Sequence, residues 1–225
     1  MSDLSPVSIL DDGDRAIYVV TTRHQDSTSG MIVTWVTSAS LIPERKRIVL
    51  VVSPHHATTQ MLLQSRTFVL HQLAREQVHL VPTFGLFSSR EVDKFAQLAV
   101  QLDDRGIPML SGTCGWVRGN VVAHMDGGDR FIVLAEVDTE EVTANTQPLF
   151  VRDLAHTLPG EVLKQLEEKY HRDVERDRAL IQTLTRGSRR GQDSLIPKRE
   201  DPTAPCTTRA AAYPIGSDRR TLQRW

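Results

Sequence analysis

Two consecutive segments of the sequence carry side chains that together could bind a phosphorylated planar ring. In the first, residues 30–43, hydroxyl groups at Thr34, Thr37, Ser38 and Ser40 stand in an otherwise largely apolar run. If the segment is one β-strand, Thr34, Ser38 and Ser40 share a face, because side chains alternate along a strand. Such a face can donate hydrogen bonds to the heteroatom edge of a flat ring. The segment is therefore a candidate ring-binding strand.

The second segment, residues 53–63, follows a strongly apolar run and begins with small polar side chains. Ser53, His56, Thr58 and Thr59 lie where a strand would lead into a helix. The free N–H groups at a helix start suit a phosphate, and these side chains can donate hydrogen bonds to its oxygens. Ser53 or Thr58 could instead simply cap the helix. The hydroxyl-rich segment that precedes it in the chain favours the phosphate interpretation.

The elements that must position these residues are mostly short β-type runs. Strands are predicted at 16–22, 30–40, 47–53, 66–73, 115–125 and 130–142, and short helices at 57–64, from about residue 74 and at 90–99. Because strands dominate and helices only fill connections, the pattern predicts a mainly β fold, a closed or nearly closed barrel with peripheral helices. No Gly-rich dinucleotide fingerprint follows a strand, which argues against a doubly wound sheet.

The C-terminal part of the sequence has a different character. Residues 161–186 have a helical composition, and Leu163, Leu166, Tyr170 and Val174 form an apolar stripe at helical spacing. Beyond them Arg, Pro, Ser and Asp predominate, which is typical of a segment without a packed core. The predicted organisation is an N-terminal segment (1–15), a barrel domain (16–151), a C-terminal amphipathic helix (152–187) and an irregular tail (188–225).

Composition narrows the functional classes. The formal net charge is -1, so no global field attracts nucleic acid or an anionic membrane surface. The two cysteines, Cys114 and Cys206, are far apart in sequence and indicate a reducing compartment rather than a disulfide framework. We see no run of about 18 apolar residues and no signal-peptide pattern, so a cytoplasmic location is expected. The histidines lack metal-ligand spacing, and no metal site is predicted.

The two polar segments, in this order, resemble the flavin reductase-like family with the FMN-binding split barrel. That family has a Gly-hydrophobic-Thr strand ending in Thr-Ser-x-Ser-Leu-x-Pro, then an apolar strand, a polar loop and a helix with Leu-Leu, as residues 30–63 have here. Weaker matches follow in the family's order at residues 93–95 (Asp-Lys-Phe), 107–110 and 116–137. The resemblance covers about residues 14–150 and implies a split β-barrel.

The resemblance also implies a function. It implies a homodimer that binds FMN, or alternatively FAD, between its subunits, passes hydride from NAD(P)H to the flavin, and supplies a partner oxygenase. By position it assigns the isoalloxazine ring to Thr34, Trp35, Thr37 and Ser38, and the phosphate to Ser53, His56, Thr58 and Thr59, with Lys94 as a further candidate. An NAD(P)H-dependent flavin reductase, with the hydride chemistry supplied by the cofactor, is the predicted function.

Arg130 departs from the family pattern, which often has a histidine here, near the flavin and the nicotinamide. An arginine could bind a phosphate or carboxylate instead, so Arg130 stays among the cofactor-binding candidates and nicotinamide handling is left open. Two other hypotheses therefore stand beside the reductase. One is a module that holds flavin or haem without turnover, and the other is a subunit that delivers electrons to a partner oxidoreductase through its C-terminal helix and tail.

Overall fold

The computed structural model describes residues 14–187, with side chains as far as residue 181, so the predictions for residues 1–13 and for the tail lie outside the described residues. The strands of its main sheet are β1 (Tyr18–His24), β2 (Ser27–Val33), β3 (Val36–Ser38), β4 (Arg47–Val52), β5 (Thr67–Gln72), β8 (Gly115–Asp126) and β9 (Phe131–Val142). A separate two-stranded ribbon consists of β6 (Gln101–Leu102) and β7 (Pro108–Met109). Within the described range the main sheet is antiparallel and has the order β2-β1-β5-β8-β9-β4-β3.

The two edge strands of this sheet, β2 and β3, are separated in the chain only by Thr34 and Trp35. Three peptide steps span at most about 10 Å, so the sheet must curl until its edges nearly meet. The result is a barrel with a slit, which confirms the predicted split-barrel fold. The prediction of one continuous strand over 30–40 is wrong, because the chain changes its pairing partner from β1 to β4 at the slit.

The inner face of the curled sheet forms the main core. Val20, Leu50, Phe68 and Val133 are fully buried there, from four different strands. Burying one such side chain contributes about 1.5–3 kcal/mol to folding. Leu62 also belongs to this core. It lies on the first helix, α1 (Ala57–Ser65), and anchors that helix to the barrel. The chain that enters the helix is thereby fixed beside β2 and β4.

Four α-helices surround the sheet within the described residues: α1 (Ala57–Ser65), α2 (Leu80–Leu86), α3 (Val151–Thr157) and α4 (Gly160–Gly187). Single 3-10 turns occupy Pro43–Arg45 and Arg75–His79. The C-terminal helix predicted over 152–187 is divided into α3 and α4, because Pro159 disfavours a helical conformation at Leu158, which is extended. None of the helices in the part of the chain described here combines the length and the apolar composition that crossing a membrane requires.

The helix predicted over 90–99 does not form, and turns take its place. The Asp93 carboxylate accepts a hydrogen bond from the backbone N–H of Phe95 at 2.9 Å. Such a side-chain bond to nearby backbone competes with helical pairing. Lys94 and Phe95 are both buried in this turn. The segment therefore packs beside β2 and does not form a surface helix.

The long helix α4 packs against a second hydrophobic cluster outside the barrel. Leu166 of α4 contacts this cluster, which contains Leu80, Val81 and Phe84 of α2. The contact holds α4 alongside α2. The polar face of α4 is consequently directed toward the start of α1, where the candidate site lies.

Candidate functional site

Helix α1 begins without a side-chain cap. His56 is its N-cap residue, but no side chain in the described structure bonds to the first-turn N–H groups, and the first turn contains no acidic residue. The N–H groups of Ala57, Thr58 and Thr59 are those that an α-helix leaves without an intrahelical partner. An uncapped helix start of this kind, with its positive end of the dipole, favours an anion.

A cavity of about 260 Å³ opens at this helix start, and we call it the basic pocket. Its inner wall includes His56, Thr58 and Lys94. Its outer wall is the polar face of α4. The charged side chains around it are four cations, Lys94, Lys169, Arg172 and Arg176, and two carboxylates, Glu91 and Asp173. The excess of positive charge reinforces the preference of the helix start for an anion.

Lys94 is the buried cation of the basic pocket. Its Nζ donates a hydrogen bond of 2.8 Å to the carbonyl oxygen of Gly30 and lies 5.8 Å from the centre of the Phe84 ring. Gly30 permits this packing, because a Cβ there would lie 2.8 Å from the Phe84 ring. Burial, assisted by the positive charge of Lys169, lowers the pKa of Lys94 to about 8. An anion beside it would relieve that cost.

His56 lies between the basic pocket and a second cavity. Burial is the main cause that lowers its pKa to about 4, and the charges of Lys169, Lys94 and Arg176 act in the same direction while Asp173 opposes them. The imidazole is therefore neutral at pH 7. Its Nδ1 lies 3.2 Å from the sulfur of Met31.

The second cavity, of about 290 Å³, we call the Trp35 cleft. Its lining includes Thr34, Trp35, Ser53, His56 and Arg130. The Trp35 ring is 43% exposed, and the Arg15 and Arg130 guanidinium carbons each lie 5.8 Å from its centre. Because the cleft and the basic pocket have Met31, His56 and Asp173 in common, the two cavities adjoin. Together they offer a flat aromatic surface with hydroxyl groups, next to an anion site.

Arg130 connects the Trp35 cleft to α4. Its Nη1 donates a hydrogen bond of 2.5 Å to the Asp177 carboxylate, which also accepts one of 3.0 Å from Arg176 Nε. Only 6% of the Asp177 side chain is exposed, and His55 Nε2 lies 3.7 Å from it. Burial alone would raise the pKa of Asp177, but the hydrogen bonds from Arg130 and Arg176 hold it below its ordinary value.

The structure does not gather all ten predicted cofactor residues in one place. Seven line the Trp35 cleft or the basic pocket: Thr34, Trp35, Ser53, His56, Thr58, Lys94 and Arg130. Thr37 and Ser38 instead line a third cavity of about 450 Å³, with Tyr18 and Trp116, which we call the β3 cavity. Both lie on β3, whereas Thr34 precedes that strand, and their role as ring contacts stays a prediction.

The hydroxyl groups of two predicted phosphate contacts, Thr58 and Thr59, lie against other buried side chains. The Thr58 hydroxyl lies 2.7 Å from Ser29 Oγ, and the Thr59 hydroxyl is directed at the Met31 sulfur at 3.7 Å. Thr59 is fully buried and lines neither the basic pocket nor the Trp35 cleft, so its role as a phosphate contact stays a prediction. The phosphate assignment of Thr58 depends more on the helix start than on its hydroxyl group.

The sequence reasoning missed the contribution of α4. Lys169, Arg172, Asp173 and Arg176 line the basic pocket, and Tyr170 lines the Trp35 cleft. A signal was present, because residues spaced by three, four and seven lie on one helical face. The apolar stripe alone entered the sequence prediction, and the polar face of the helix was not assigned to a site.

An open-edged barrel of this strand order defines a split-barrel domain, and an uncapped helix start lies beside its aromatic cleft. The chain belongs to the flavin reductase-like domain family, whose model matches residues 14–156. The resemblance inferred for about residues 14–150 is thereby confirmed. Helix α4 lies beyond the matched range.

The relatives are distant. The high molecular weight rubredoxin of Moorella thermoacetica is 26% identical over 135 residues, which are 59% of this chain and 58% of that protein. The reductase subunit HsaB of a flavin-dependent monooxygenase from Mycobacterium tuberculosis is 27% identical over 132 residues, 59% of this chain and 68% of that one. The chain thus spans little more than half the length of the rubredoxin relative.

Among solved structures, the NADH:FAD oxidoreductase of Streptomyces globisporus matches with a TM-score of 0.58 at 23% identity. The match covers 63% of this chain and 83% of that one. At this identity the likeness concerns the fold.

Proposed function

We propose that this domain is a flavin reductase that binds FMN, with FAD as the alternative, and transfers hydride to it from NAD(P)H. The observation that carries the proposal is the junction of the Trp35 cleft with the basic pocket at His56. A flavin nucleotide has the matching composition, a planar ring with a heteroatom edge joined to a phosphate. The family membership of residues 14–156 supports the same cofactor class.

The residues present fit such a cofactor. The phosphate would be held by the N–H groups at the start of α1, which no side chain caps. The Lys94 ammonium would add a positive charge beside it. Thr34 and Ser53 hydroxyl groups in the Trp35 cleft would donate to the ring edge, and Trp35 would provide a flat wall. When bound, the flavin itself supplies the hydride chemistry, and the protein supplies orientation and hydrogen bonds.

A spectrum and a rate measurement test this proposal. The purified protein, or the protein titrated with FMN, should show a flavin absorbance spectrum perturbed from that of free FMN. NADH or NADPH oxidation should then depend on the flavin. A protein that neither binds FMN, FAD or riboflavin nor oxidises NAD(P)H would overturn the proposal.

A second candidate function is a flavin-binding module without turnover. Arg130 stands where family members often have histidine, and its guanidinium is engaged by Asp177 and stacked near Trp35. Under this alternative, FMN binds but NAD(P)H is not consumed. The variant Arg130→His discriminates, because an appearance of NAD(P)H oxidation in the variant alone would support a non-catalytic module in the natural chain.

We propose further that the reduced flavin is passed to a partner oxygenase, since the HsaB relative is the reductase subunit of a flavin-dependent monooxygenase. A reductase of this kind uses flavin as a substrate, so its rate should saturate with the concentration of free FMN. Activity that survives complete removal of free flavin would instead indicate a resident cofactor and direct delivery of electrons to a partner protein.

The proposed oligomer is a homodimer in the cytoplasm. Large apolar side chains are exposed near the β3 edge, with Leu41 87%, Ile42 55% and Val142 81% accessible. Contiguous exposed apolar surface is typical of an interaction site. Sedimentation of the full chain should give twice the monomer mass, and Leu41→Asp should shift it toward monomer. A free, buried thiol at Cys114 is consistent with a reducing compartment.

A further inference from the structure

The outer wall of the basic pocket comes from α4, which lies outside the range matched by the family. Lys169, Arg172 and Arg176 are spaced by three and four residues along this helix, so they lie on one face. That face is held toward α1 by the packing of Leu166 on the α2 cluster. Three of the four cations of the pocket are therefore contributed by an element that is additional to the barrel.

Their ion pairing leaves one cation without a partner. Lys169 Nζ and Arg176 Nη1 both contact the Asp173 carboxylate, at 2.7 and 3.0 Å. Arg172 is exposed at the pocket and makes no hydrogen bond or ion pair to another described residue. Glu91, the remaining carboxylate on the lining, repels an anion. The net charge of the lining still favours anion binding, since four cations and two carboxylates surround an uncapped helix start.

The charge on α4 acts on the inner wall of the pocket. The positive charge of Lys169 contributes to lowering the pKa of both His56 and Lys94, which belong to the barrel side. The Lys169 and Lys94 ammonium groups thus repel one another across the cavity. An anion between them would convert this repulsion into two sets of attractions.

We propose that Lys169, Arg172 and Arg176 of α4 form the second half of the phosphate site and make the domain select phosphorylated flavins over riboflavin. This inference rests on the proposed flavin binding and adds a specificity element to it. The ligand class is a phosphate monoester carried by a nucleotide. The phosphate assigned to the pocket is the flavin 5′-phosphate, and the 2′-phosphate of NADPH is the competing source.

Arg172→Gln is the informative variant, because Arg172 has no carboxylate partner whose loss would unsettle the fold. Lys164→Gln is its matched control, since Lys164 is an exposed cation of the same helix that does not line the pocket. FMN and riboflavin affinities are measured by flavin fluorescence titration. We expect the FMN Kd to rise about tenfold in Arg172→Gln, as for one lost charge-assisted hydrogen bond. The riboflavin Kd should not change, and Lys164→Gln should change neither.

The double variant Lys169→Ala/Arg172→Gln should reduce the preference for FMN over riboflavin further, with circular dichroism confirming that α4 remains helical. An unchanged preference in both variants, in a protein that binds FMN, would overturn this inference and leave the proposed function intact. A change confined to the discrimination between NADPH and NADH would also overturn it, in favour of the 2′-phosphate.

Inorganic phosphate provides a readout that does not depend on flavin. Phosphate should raise the melting temperature of the natural chain more than that of Arg172→Gln. If no flavin binds but this difference is present, the proposed function fails and the anion site on α4 stands. If no flavin binds and phosphate does not distinguish the two proteins, both proposals fail.

Discussion

Arg130 Nη1 donates a 2.5 Å hydrogen bond to the Asp177 carboxylate, and this contact joins the β8–β9 hairpin to the polar face of α4. Arg130 precedes β9 and lies against Trp35, whereas Asp177 lies about two turns along α4 from Lys169, the first α4 residue on the basic pocket. The pair therefore fixes α4 at both cavities. The helix is held by an apolar contact at Leu166 and by an ionic contact at Asp177.

Replacing Asp177 with asparagine should destabilise the domain by about 1–3 kcal/mol, because two charge-assisted hydrogen bonds weaken and the partly buried Arg130 loses its carboxylate partner on α4. Urea unfolding followed by circular dichroism measures this. Glu175→Gln is the control, since Glu175 is an exposed residue of α4 that pairs only with Arg178, and less than about 1 kcal/mol is expected there. Equal effects in the two variants would mean that Asp177 does not hold α4 in place.

The elements that the sequence predicted well are those whose signal is local. The apolar run before Ser53, the long hairpin around residues 115–142 and the amphipathic pattern of α4 each determine a strand or helix from their own side chains. The slit at Thr34 and Trp35 has no such signal, because β-type residues continue across it without a Gly or Pro that would mark a break. It depends on pairing with β1 on one side and β4 on the other.

Only part of the candidate site could be predicted from the sequence, because only part of it is determined by local sequence signals. His56 and Thr58 could be assigned because a strand-to-helix junction is recognisable in the sequence. Lys169 and Arg172 could not, since the direction in which the polar face of α4 points depends on where Leu166 packs. Long-range packing, rather than residue type, decides which charged face becomes part of a pocket.

The matched substitutions Thr34→Val and Thr37→Val should show which of two cavities holds the flavin ring, because the predicted ring contacts are divided between them. Thr34 lines the Trp35 cleft and Thr37 lines the β3 cavity. Losing one hydroxyl donor to the ring should raise the FMN Kd about two- to tenfold in Thr34→Val only. Fluorescence titration measures both variants. The reverse pattern would locate the ring at the β3 cavity and remove the basis for joining it to the start of α1.

Stability should fall as the pH is lowered from about 6.5 toward 4. Burial lowers the pKa of His71 to about 4, and its Nε2 lies 3.2 Å from the Thr21 hydroxyl in the core. The unfolded chain, with an ordinary histidine pKa of about 6.5, binds a proton first, so acid favours unfolding. The loss reaches at most about 3 kcal/mol for one fully buried histidine. His56, whose pKa is also about 4, adds to it.

Urea unfolding in buffers at about pH 7 and about pH 4.5 tests this dependence. His71→Gln should reduce the loss of unfolding free energy between these two pH values, because it removes one titrating group. His79→Gln, at an exposed position, should leave that loss unchanged. An acid loss of the same size in His71→Gln and in the natural chain would show that other groups cause it.

A carboxylate at the N-cap of α1 should improve stability and impair cofactor binding at once. His56→Asp supplies the side-chain acceptor that the helix start lacks, and its charge faces Lys94, Lys169 and Arg176. A good N-cap contributes about 0.5–2 kcal/mol, so the free energy of unfolding should increase. The same N–H groups are then occupied and the pocket is partly neutralised, so the FMN Kd should rise at least about tenfold.

His56→Gln separates these effects, because it removes the imidazole without adding charge. It should change FMN affinity much less than His56→Asp does. Melting temperature and fluorescence titration, measured on the same preparations, give both quantities. If His56→Asp became more stable yet bound FMN as tightly as the natural chain, the phosphate could not use the start of α1, because a carboxylate and a phosphate cannot accept the same N–H hydrogen bonds.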